Sequence, residues 1–188
     1  MLAERDLTRL PDDLGPTDGV LVVDVAHNRL TQLPTALGRF ADAQVLYIGD
    51  NRFTGVPDVV RQLGSLVYLS VAENEIAALP DWIGELERLM ELRVQHNHLT
   101  QLPPSIGRLR ALRELHLRGN AIRHLPIEIR HLRELRVLDL RANGATCLPE
   151  TLLELPRLDK LDLRWNPMPE LPPVAAALRE RGCFVLWP

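Results

Sequence analysis

The chain has 188 residues, of which 46% are hydrophobic and 25% charged, and its formal net charge is −3. This composition suits one domain with a sizeable core, and the negative charge argues against a nucleic-acid partner. No apolar run approaches a membrane span, and the first residues, MLAERDLTRLPDD, contain no apolar signal-peptide core. We therefore expect no membrane partner and a cytoplasmic location, with export as an effector without a conventional signal peptide as the alternative.

One frame, LxxLxLxxN, recurs along the chain, for example as LMELRVQHN (Leu89–Asn97) and LRELHLRGN (Leu112–Asn120). Its asparagines are 23 residues apart, and a proline follows six residues after each of them. These asparagines are Asn28, Asn51, Asn74, Asn97, Asn120, Asn143 and Asn166. Self-similarity at a fixed period of this length predicts a solenoid, in which each repeat forms one coil and buries its apolar face against the next coil.

The N-terminal segment, residues 1–19, is predicted to be a partial repeat or cap. It contains LTRLPDDLG (Leu7–Gly15), with Pro11 on the same grid as the later prolines, and no hydrophobic cap sequence precedes Leu7. A strand edge at the end of a sheet usually needs a cover. Either this short piece covers the first strand or something else does, such as another chain or an upstream fusion. We therefore expect a monomer or a weak homodimer through the N-terminal edge.

The repeats proper occupy residues 20–172, and each combines a strand, a turn and a short helical segment. The LxL core alternates as a strand does, so Leu115 and Leu117 should point inward with His116 between them pointing outward. The asparagine side chain can satisfy backbone groups in the turn that follows, and stacked coils would form a ladder of asparagines. Proline then starts a helical or 3₁₀ segment, which should bury Ile106 and Leu109.

The C-terminal segment, residues 173–188, departs from the repeat. PPVAAALRERG is predicted to form a capping helix in place of the usual linker. CFVLWP follows, and it places Phe184 and Leu186 where an eighth inward-facing LxL pair would fall. We therefore expect the solenoid to finish on a closing strand, with Trp187 beside it.

The consensus LxxLxLxxNxLxxLPxxIGxLxx resembles the leucine-rich repeat family from Leu7 to Leu186. The LPxxIG half, as in LPDWIGEL and LPPSIGRL, resembles the Ras-group subclass found in plant and animal intracellular scaffolds and in bacterial Roco proteins. The glycine of this half is replaced at Arg61, Arg130 and Leu153. A single lysine among 22 basic residues gives a further indication, of a GC-rich bacterial genome.

The resemblance implies an α/β solenoid with residues 1–188 forming a single domain. Its expected form is a right-handed horseshoe with a parallel concave sheet of about eight strands and short helices or 3₁₀ turns on the convex side. Members of the family usually recognise proteins on the concave face. The sequence therefore predicts a non-catalytic interaction module or scaffold, with a small GTPase or a kinase-type protein as the partner by family analogy. A secreted bacterial effector that acts on a host protein is the alternative.

The concave face should carry the outward strand positions, which lie six, four and two residues before each asparagine. One column there contains Arg118, Arg141 and Arg164. These arginines either form a lattice with acids of nearby columns or donate to carboxylates or phosphates of a partner. The nearby acids are Asp139, Asp162 and Glu114. Exposed tyrosines are typical of binding hot spots, and Trp165 is expected to pack either on the C-terminal cap or on a partner. The candidate partner-binding residues are Tyr47, Tyr68, Arg93, Gln95, His116, Arg118, Asp139, Arg141, Asp162, Arg164 and Trp165.

Catalysis is the rival from another class. His124 and Cys147 share a column in adjacent coils, and a Cys–His pair can activate a thiolate, but no third group is evident. The two cysteines fall in different columns, which favours a reducing compartment without a disulfide. No phosphate- or dinucleotide-binding glycine motif occurs, and the histidines do not converge as metal ligands do. We therefore predict no enzyme activity, no cofactor and no metal site.

Overall fold

In the computed structural model, which describes residues 2–187, eight parallel strands form one open sheet in which each strand pairs with the next in chain order. Every strand is three residues long, and the chain crosses between strands on one side of the sheet. Strands β1 to β8 are Val22–Asp24, Val45–Tyr47, Tyr68–Ser70, Glu91–Arg93, Glu114–His116, Val137–Asp139, Lys160–Asp162 and Phe184–Leu186. The predicted right-handed horseshoe with a parallel concave sheet of about eight strands is confirmed.

The strands alternate between core and concave surface as the LxL pattern predicts. Leu115 and Leu117 are fully buried, whereas His116 between them is partly exposed. Neighbouring strands from β1 to β7 pair with a constant offset of 23 residues, so equivalent residues stand side by side. Each column of the repeat is therefore also a column on the surface, spaced by about 4.8 Å from strand to strand.

Short 3₁₀ helices lie on the convex side, and each begins directly after the proline of its repeat. Proline suits this place because its fixed φ is already helical and its missing N–H needs no partner. Within residues 2–187 these helices are Thr35–Arg39, Asp58–Gln62, Asp81–Glu85, Pro104–Arg108, Ile127–His131 and Glu150–Glu154. Ile106 and Leu109 are fully buried, as predicted. The strands and 3₁₀ helices enclose one continuous apolar core, which extends from Leu10 to Val185.

The asparagines of the repeat link each coil to the coil before it. The Asn97 side-chain amide donates to the carbonyls of Val71 and Val94, at 3.0 and 3.1 Å, and its oxygen accepts the Ile76 N–H at 2.9 Å. Val71 and Ile76 belong to the preceding coil. Equivalent bonds to the preceding coil recur at the other asparagines. The side chains thus satisfy buried backbone groups that the turns leave unpaired.

The N-terminal segment supplies backbone partners for the edge of β1. Leu2 N–H donates to the Asp24 carbonyl at 2.9 Å, and Glu4 N–H donates to the Ala26 carbonyl at 3.2 Å. The Asn28 side-chain oxygen accepts the N–H of Leu7 at 2.9 Å, so the first asparagine binds this segment as later ones bind a full coil. Of the two sequence alternatives, the short piece does cover this part of the edge. The homodimer and the division of the chain at residues 19 and 172 stay predictions.

The predicted C-terminal strand forms, but its register differs from the prediction. An α-helix, α1 (Pro173–Glu180), replaces the 3₁₀ helix of the last coil, and β8 then pairs with β7 by placing Val185 beside Leu161. This offset is one residue longer than the 23-residue repeat, and a shift of one residue moves every side chain of a strand to the opposite face. Val185 is therefore buried, and Phe184 is 62% exposed on the concave face. The prediction that Phe184 and Leu186 form an inward pair was wrong.

None of the helices within residues 2–187 is both long and apolar enough to cross a membrane.

Glycine in the LPxxIG half allows neighbouring 3₁₀ helices to approach closely. A β-carbon on Gly107 would lie 2.5 Å from the Glu128 carbonyl oxygen of the next coil, closer than real contacts allow. Where arginine replaces the glycine at position 61, its side chain is exposed and forms an ion pair with Glu85 of the next coil at 2.6 Å. The residue at the position of the LPxxIG glycine therefore affects how closely neighbouring coils approach on the convex side.

The asparagine ladder predicts a graded stability effect. We expect Asn97→Ala to lower the free energy of unfolding by about 1–3 kcal/mol, because it leaves buried donors and acceptors unpaired. Asn166→Ala should cost less, because its hydrogen bonds are only part-buried and water can replace them. Urea denaturation measures both effects. An unchanged midpoint for Asn97→Ala would show that the ladder does not hold the coils together.

The glycine column predicts a second effect on stability. Gly107→Ala should destabilise the fold by about 1–3 kcal/mol, because the added methyl group forces a backbone shift between coils. Gly64→Ala is the matched control, since a β-carbon there meets nothing within 4 Å and needs no left-handed backbone. Equal urea midpoints for the two variants would contradict the close-approach argument.

Candidate functional site

The concave face divides into an aromatic patch on the N-terminal coils and a charged region on the later coils. The aromatic patch consists of Tyr47 and Tyr68, whose rings lie 5.0 Å apart at 49°. The guanidinium carbon of Arg93 lies 5.8 Å from the Tyr68 ring and continues the patch toward the charged region. Burial raises the pKa of Tyr68, so this phenol is neutral at physiological pH. The patch offers large, rigid apolar surface with polar tips.

Two of the three arginines in the arginine column are bound by aspartates of their own strands. Arg141 donates to both carboxylate oxygens of Asp139, with Nε at 2.9 Å from Oδ1, and Arg164 binds Asp162 in the same way at 3.0 Å. Asp162 is only 1% exposed, and its Oδ2 also lies 3.4 Å from Nε of Arg141. For Arg141 and Arg164 the structure therefore shows the lattice that the sequence left as one alternative.

The lattice also fixes the charge state of Asp139. Burial disfavours the charged form of this side chain, but hydrogen bonds from the guanidinium and backbone N–H of Arg141 outweigh it. The pKa of Asp139 consequently lies below its usual value. Reversing the charge of Arg141 would place a third carboxylate beside two buried ones, so this part of the arginine column also stabilises the fold.

Arg118 differs from the other two arginines of the column. Within residues 2–187 no carboxylate pairs with it, and its Nε is buried without a hydrogen-bond partner. Gln95, in the same column on the preceding strand, also has a buried side-chain oxygen without a partner. Unpaired buried polar atoms cost free energy and are rare in native proteins, so each one calls for an explanation such as a group that binds there. Arg118 is thus the arginine of this column best placed to bind a carboxylate of a partner.

Trp165 lies over the arginine column and not on the C-terminal cap. Its ring centre is 5.6 Å from the guanidinium carbon of Arg118 and 5.7 Å from that of Arg164, and the residue is 61% exposed. The equivalent positions of the two preceding coils hold the small residues Gly119 and Ala142. Trp187 packs on the cap instead and donates its indole N–H to the Met168 carbonyl.

The structure also brings together residues that the sequence did not group. Glu91, Glu114 and His116 place their side-chain nitrogen and oxygen atoms within 4.8 Å of one another on β4 and β5. The expectation of no metal site compared histidines only with each other, so it could not find a mixed cluster of one histidine and two carboxylates. The 23-residue spacing could have predicted that Glu91 and Glu114 are neighbours, because they occupy one column of the repeat. The exposed position of Phe184 on the concave face was not predicted, because β8 pairs with β7 at an offset one residue longer than the repeat.

His124 and Cys147 lie together on the surface between the concave sheet and the convex helices. The Cys147 sulfur is 3.6 Å from Nδ1 of His124, and both residues are exposed. The second cysteine, Cys183, is buried at the C-terminal end, and both thiols are free, as the column argument predicts. The pair is separate from the concave face and adds nothing to the arginine column.

A single sheet of parallel strands, joined by short 3₁₀ helices on its convex side, defines a parallel-sheet solenoid. The sequence profile described as Leucine rich repeat matches residues 42–99, 87–144 and 110–168. These overlapping matches cover more than half of the chain, which therefore belongs to the leucine-rich repeat family. Proteins of this family are typically interaction modules. No curated protein matches the sequence significantly.

Solved structures agree on the fold. A leucine-rich-repeat protein of Leptospira interrogans superposes with a TM-score of 0.77 at 29% identity, over 96% of this chain and 52% of that protein. A TDR receptor matches with a TM-score of 0.68 at 32% identity, over 76% and 26%. The plant peptide hormone receptor RGFR1 in complex with RGF2 matches with a TM-score of 0.73 at 24% identity, over 85% and 27%. The chain thus spans about half of the Leptospira protein and about a quarter of each receptor.

The lattice predicts how stability depends on pH. Because the pKa of Asp139 is lowered, its carboxylate stabilises the fold above the unfolded pKa of about 3.9, and this contribution is lost as the pH falls through the folded pKa. Arg141→Met removes the guanidinium donors but keeps the backbone N–H and the burial, so the pKa of Asp139 should rise from its wild-type value.

The variant should therefore lose most stability at neutral pH and recover part of the difference from wild type as the pH falls toward about 4. Urea unfolding at several pH values, with NMR titration of the Asp139 carboxyl, measures this. Arg110→Met, at an exposed convex position, is the control. Parallel pH profiles for wild type and Arg141→Met would contradict the assignment.

Proposed function

We propose that this chain is a non-catalytic protein-binding module whose concave face holds an acidic segment of a protein partner, with Arg118 as the main charged contact. The observation that carries the proposal is the state of the arginine column. Arg141 and Arg164 are already neutralised by aspartates, whereas Arg118 has no carboxylate partner within residues 2–187. An incoming carboxylate would pair with Arg118 beneath the exposed Trp165 ring, where a planar guanidinium can donate two parallel hydrogen bonds.

The aromatic patch supplies the apolar part of the same surface. Tyr68 on β3 lies two strands from Arg118, which follows β5, and four residues away along the strand direction, so the two positions are about 16 Å apart on the sheet. A single partner segment can therefore contact both. Tyrosine and arginine are the residue types that dominate binding energy at interfaces, especially where surrounding contacts exclude water. Arg118 should mainly govern steering and specificity, and the tyrosines should mainly slow dissociation.

The family context supports a protein or peptide as the partner. RGFR1 is described in complex with RGF2, and the present chain shares the horseshoe fold. The LPxxIG half resembles the Ras-group and Roco-type repeats, which extends the proposal to a cytoplasmic, bacterial scaffold that binds a small GTPase or a kinase-type protein. This finer assignment rests on analogy of the repeat and not on any residue of the concave face.

Two alternatives predict different behaviour. A secreted effector would use the same concave face on a host protein, and a phenotype that depends on secretion distinguishes it from a scaffold. An enzyme would use Cys147 and His124, which lie 3.6 Å apart. Thiol-alkylation rates that fall sharply in His124→Ala would favour this alternative, since the imidazole would then be shown to activate the thiol.

The proposal predicts the effect of one charge reversal. Arg118→Glu should leave the melting temperature near that of wild type, because no carboxylate of residues 2–187 depends on Arg118. It should abolish capture of the partner from a lysate of the source organism at low salt. Wild-type capture should itself weaken as salt is added, because the contact is electrostatic.

Arg110→Glu is the matched control, with the same charge change at an exposed convex position. Proteins captured by wild type and by Arg110→Glu, but not by Arg118→Glu, are the partners. Association and dissociation rates of the captured protein then test the steering role directly. If Arg118→Glu captures the same proteins as wild type at low salt, the arginine column is not a recognition surface.

A further inference from the structure

Two acidic side chains stand next to each other on the concave face. Glu91 on β4 and Glu114 on β5 are direct partners in the strand register. Adjacent carboxylates repel each other. Placing one of them in a different column would have reduced this repulsion. Arg93 offsets part of the charge by binding one oxygen of Glu91 at 2.5 Å. Within residues 2–187 no hydrogen bond is found for the other oxygen of Glu91 or for Oε1 of Glu114.

His116 distinguishes this cluster from a simple acidic patch. Its ring nitrogen Nε2 lies between the two carboxylates, in a hydrogen bond of 3.0 Å with Oε2 of Glu114 and 3.8 Å from Oε1 of Glu91, the oxygen that Arg93 also binds. The imidazole side chain is only 18% exposed, so the fold holds it in place while its nitrogen faces the carboxylates. All three side chains project from adjacent strands of a rigid sheet, and rigid placement of donor atoms is what a metal site needs.

These distances match the first coordination shell of a small transition-metal ion. Zinc–nitrogen and zinc–oxygen bonds are about 2.0–2.2 Å, which places neighbouring ligand atoms about 3.3 Å apart in a tetrahedral site. The separations of 3.0 and 3.8 Å lie on either side of that value. A mixed nitrogen and carboxylate donor set favours zinc and its neighbours over calcium and magnesium, which prefer oxygen ligands alone.

We infer that Glu91, Glu114 and His116 form a binding site for Zn²⁺ or a similar divalent transition-metal ion on the concave face. The protein supplies three ligands, and the remaining position faces the open concave surface. An ion there would remove the repulsion between the two glutamates. It would also add a positive centre on the same strand as Arg118, two residues from His116. The site is independent of the proposed partner, since its ligands all belong to this chain.

Isothermal titration calorimetry of the full chain, stripped of metal with EDTA and titrated with zinc chloride, tests the inference. Wild type should bind one zinc ion saturably, and zinc should raise the melting temperature by mass action on the folded state. His116→Ala and Glu114→Gln should each weaken binding by about tenfold or more, since even the loss of an outer-shell partner lowers metal affinity by about 10–100-fold. Cobalt added in place of zinc should give visible absorption in wild type that both variants lose.

His98→Ala is the matched control, because His98 is exposed outside the concave columns, and it should bind zinc as wild type does. Circular dichroism confirms that each variant is folded, and two variants with different ligands guard against one that is not. The inference is overturned if wild type shows no saturable one-to-one binding. It is also overturned if folded His116→Ala and Glu114→Gln keep the wild-type affinity. No partner protein is present, so these outcomes are separate from the partner-binding proposal.

Discussion

A turn that buries its backbone must find partners for every N–H and C=O, and here one asparagine amide per coil does this. Asn51 donates to the carbonyls of Val25 and Ile48 and accepts the N–H of Leu30, so each amide joins two successive coils. No other side chain of that size offers two donors and an acceptor. The constant length of the repeat follows, because an insertion in one coil would move an amide away from the carbonyls that it satisfies.

Most of the fold could be predicted because the same 23-residue pattern, with its asparagine, occurs seven times in the sequence. The same reasoning fails where the repeat stops. Helix α1 takes the place of a 3₁₀ helix, and the chain then reaches β8 one residue late, which turns Phe184 outward. At the other end, the pairing of Leu2 and Glu4 with β1 depends on backbone hydrogen bonds, which leave no pattern of apolar residues to detect. The wrong register of β8 and the undecided N-terminal cover therefore both lie where neighbouring coils no longer restrain each other.

The concave surface could be predicted only as columns. The sequence places Arg118, Arg141 and Arg164 in one row, but their different roles depend on which neighbour presents an acid. Asp139 and Asp162 stand two residues before Arg141 and Arg164, whereas His116 stands two residues before Arg118. That single difference leaves one guanidinium without a carboxylate and leaves the imidazole to face Glu91 and Glu114. A sequence shows which residues share a column. Which of those side chains pair with each other depends on their rotamers, which only the structure shows.

The convex glycine column has a consequence for the shape of the molecule. Strands on the inner side are held at a fixed spacing by hydrogen bonds, so the bend of a horseshoe depends on how far apart the outer segments are held. Gly84 and Gly107 let the outer segments close up in the middle of the chain, whereas Arg61 and Arg130 stand in their place on either side. Exchanging glycine for arginine at this one position is thus a means of tuning curvature coil by coil, without altering any residue of the concave face.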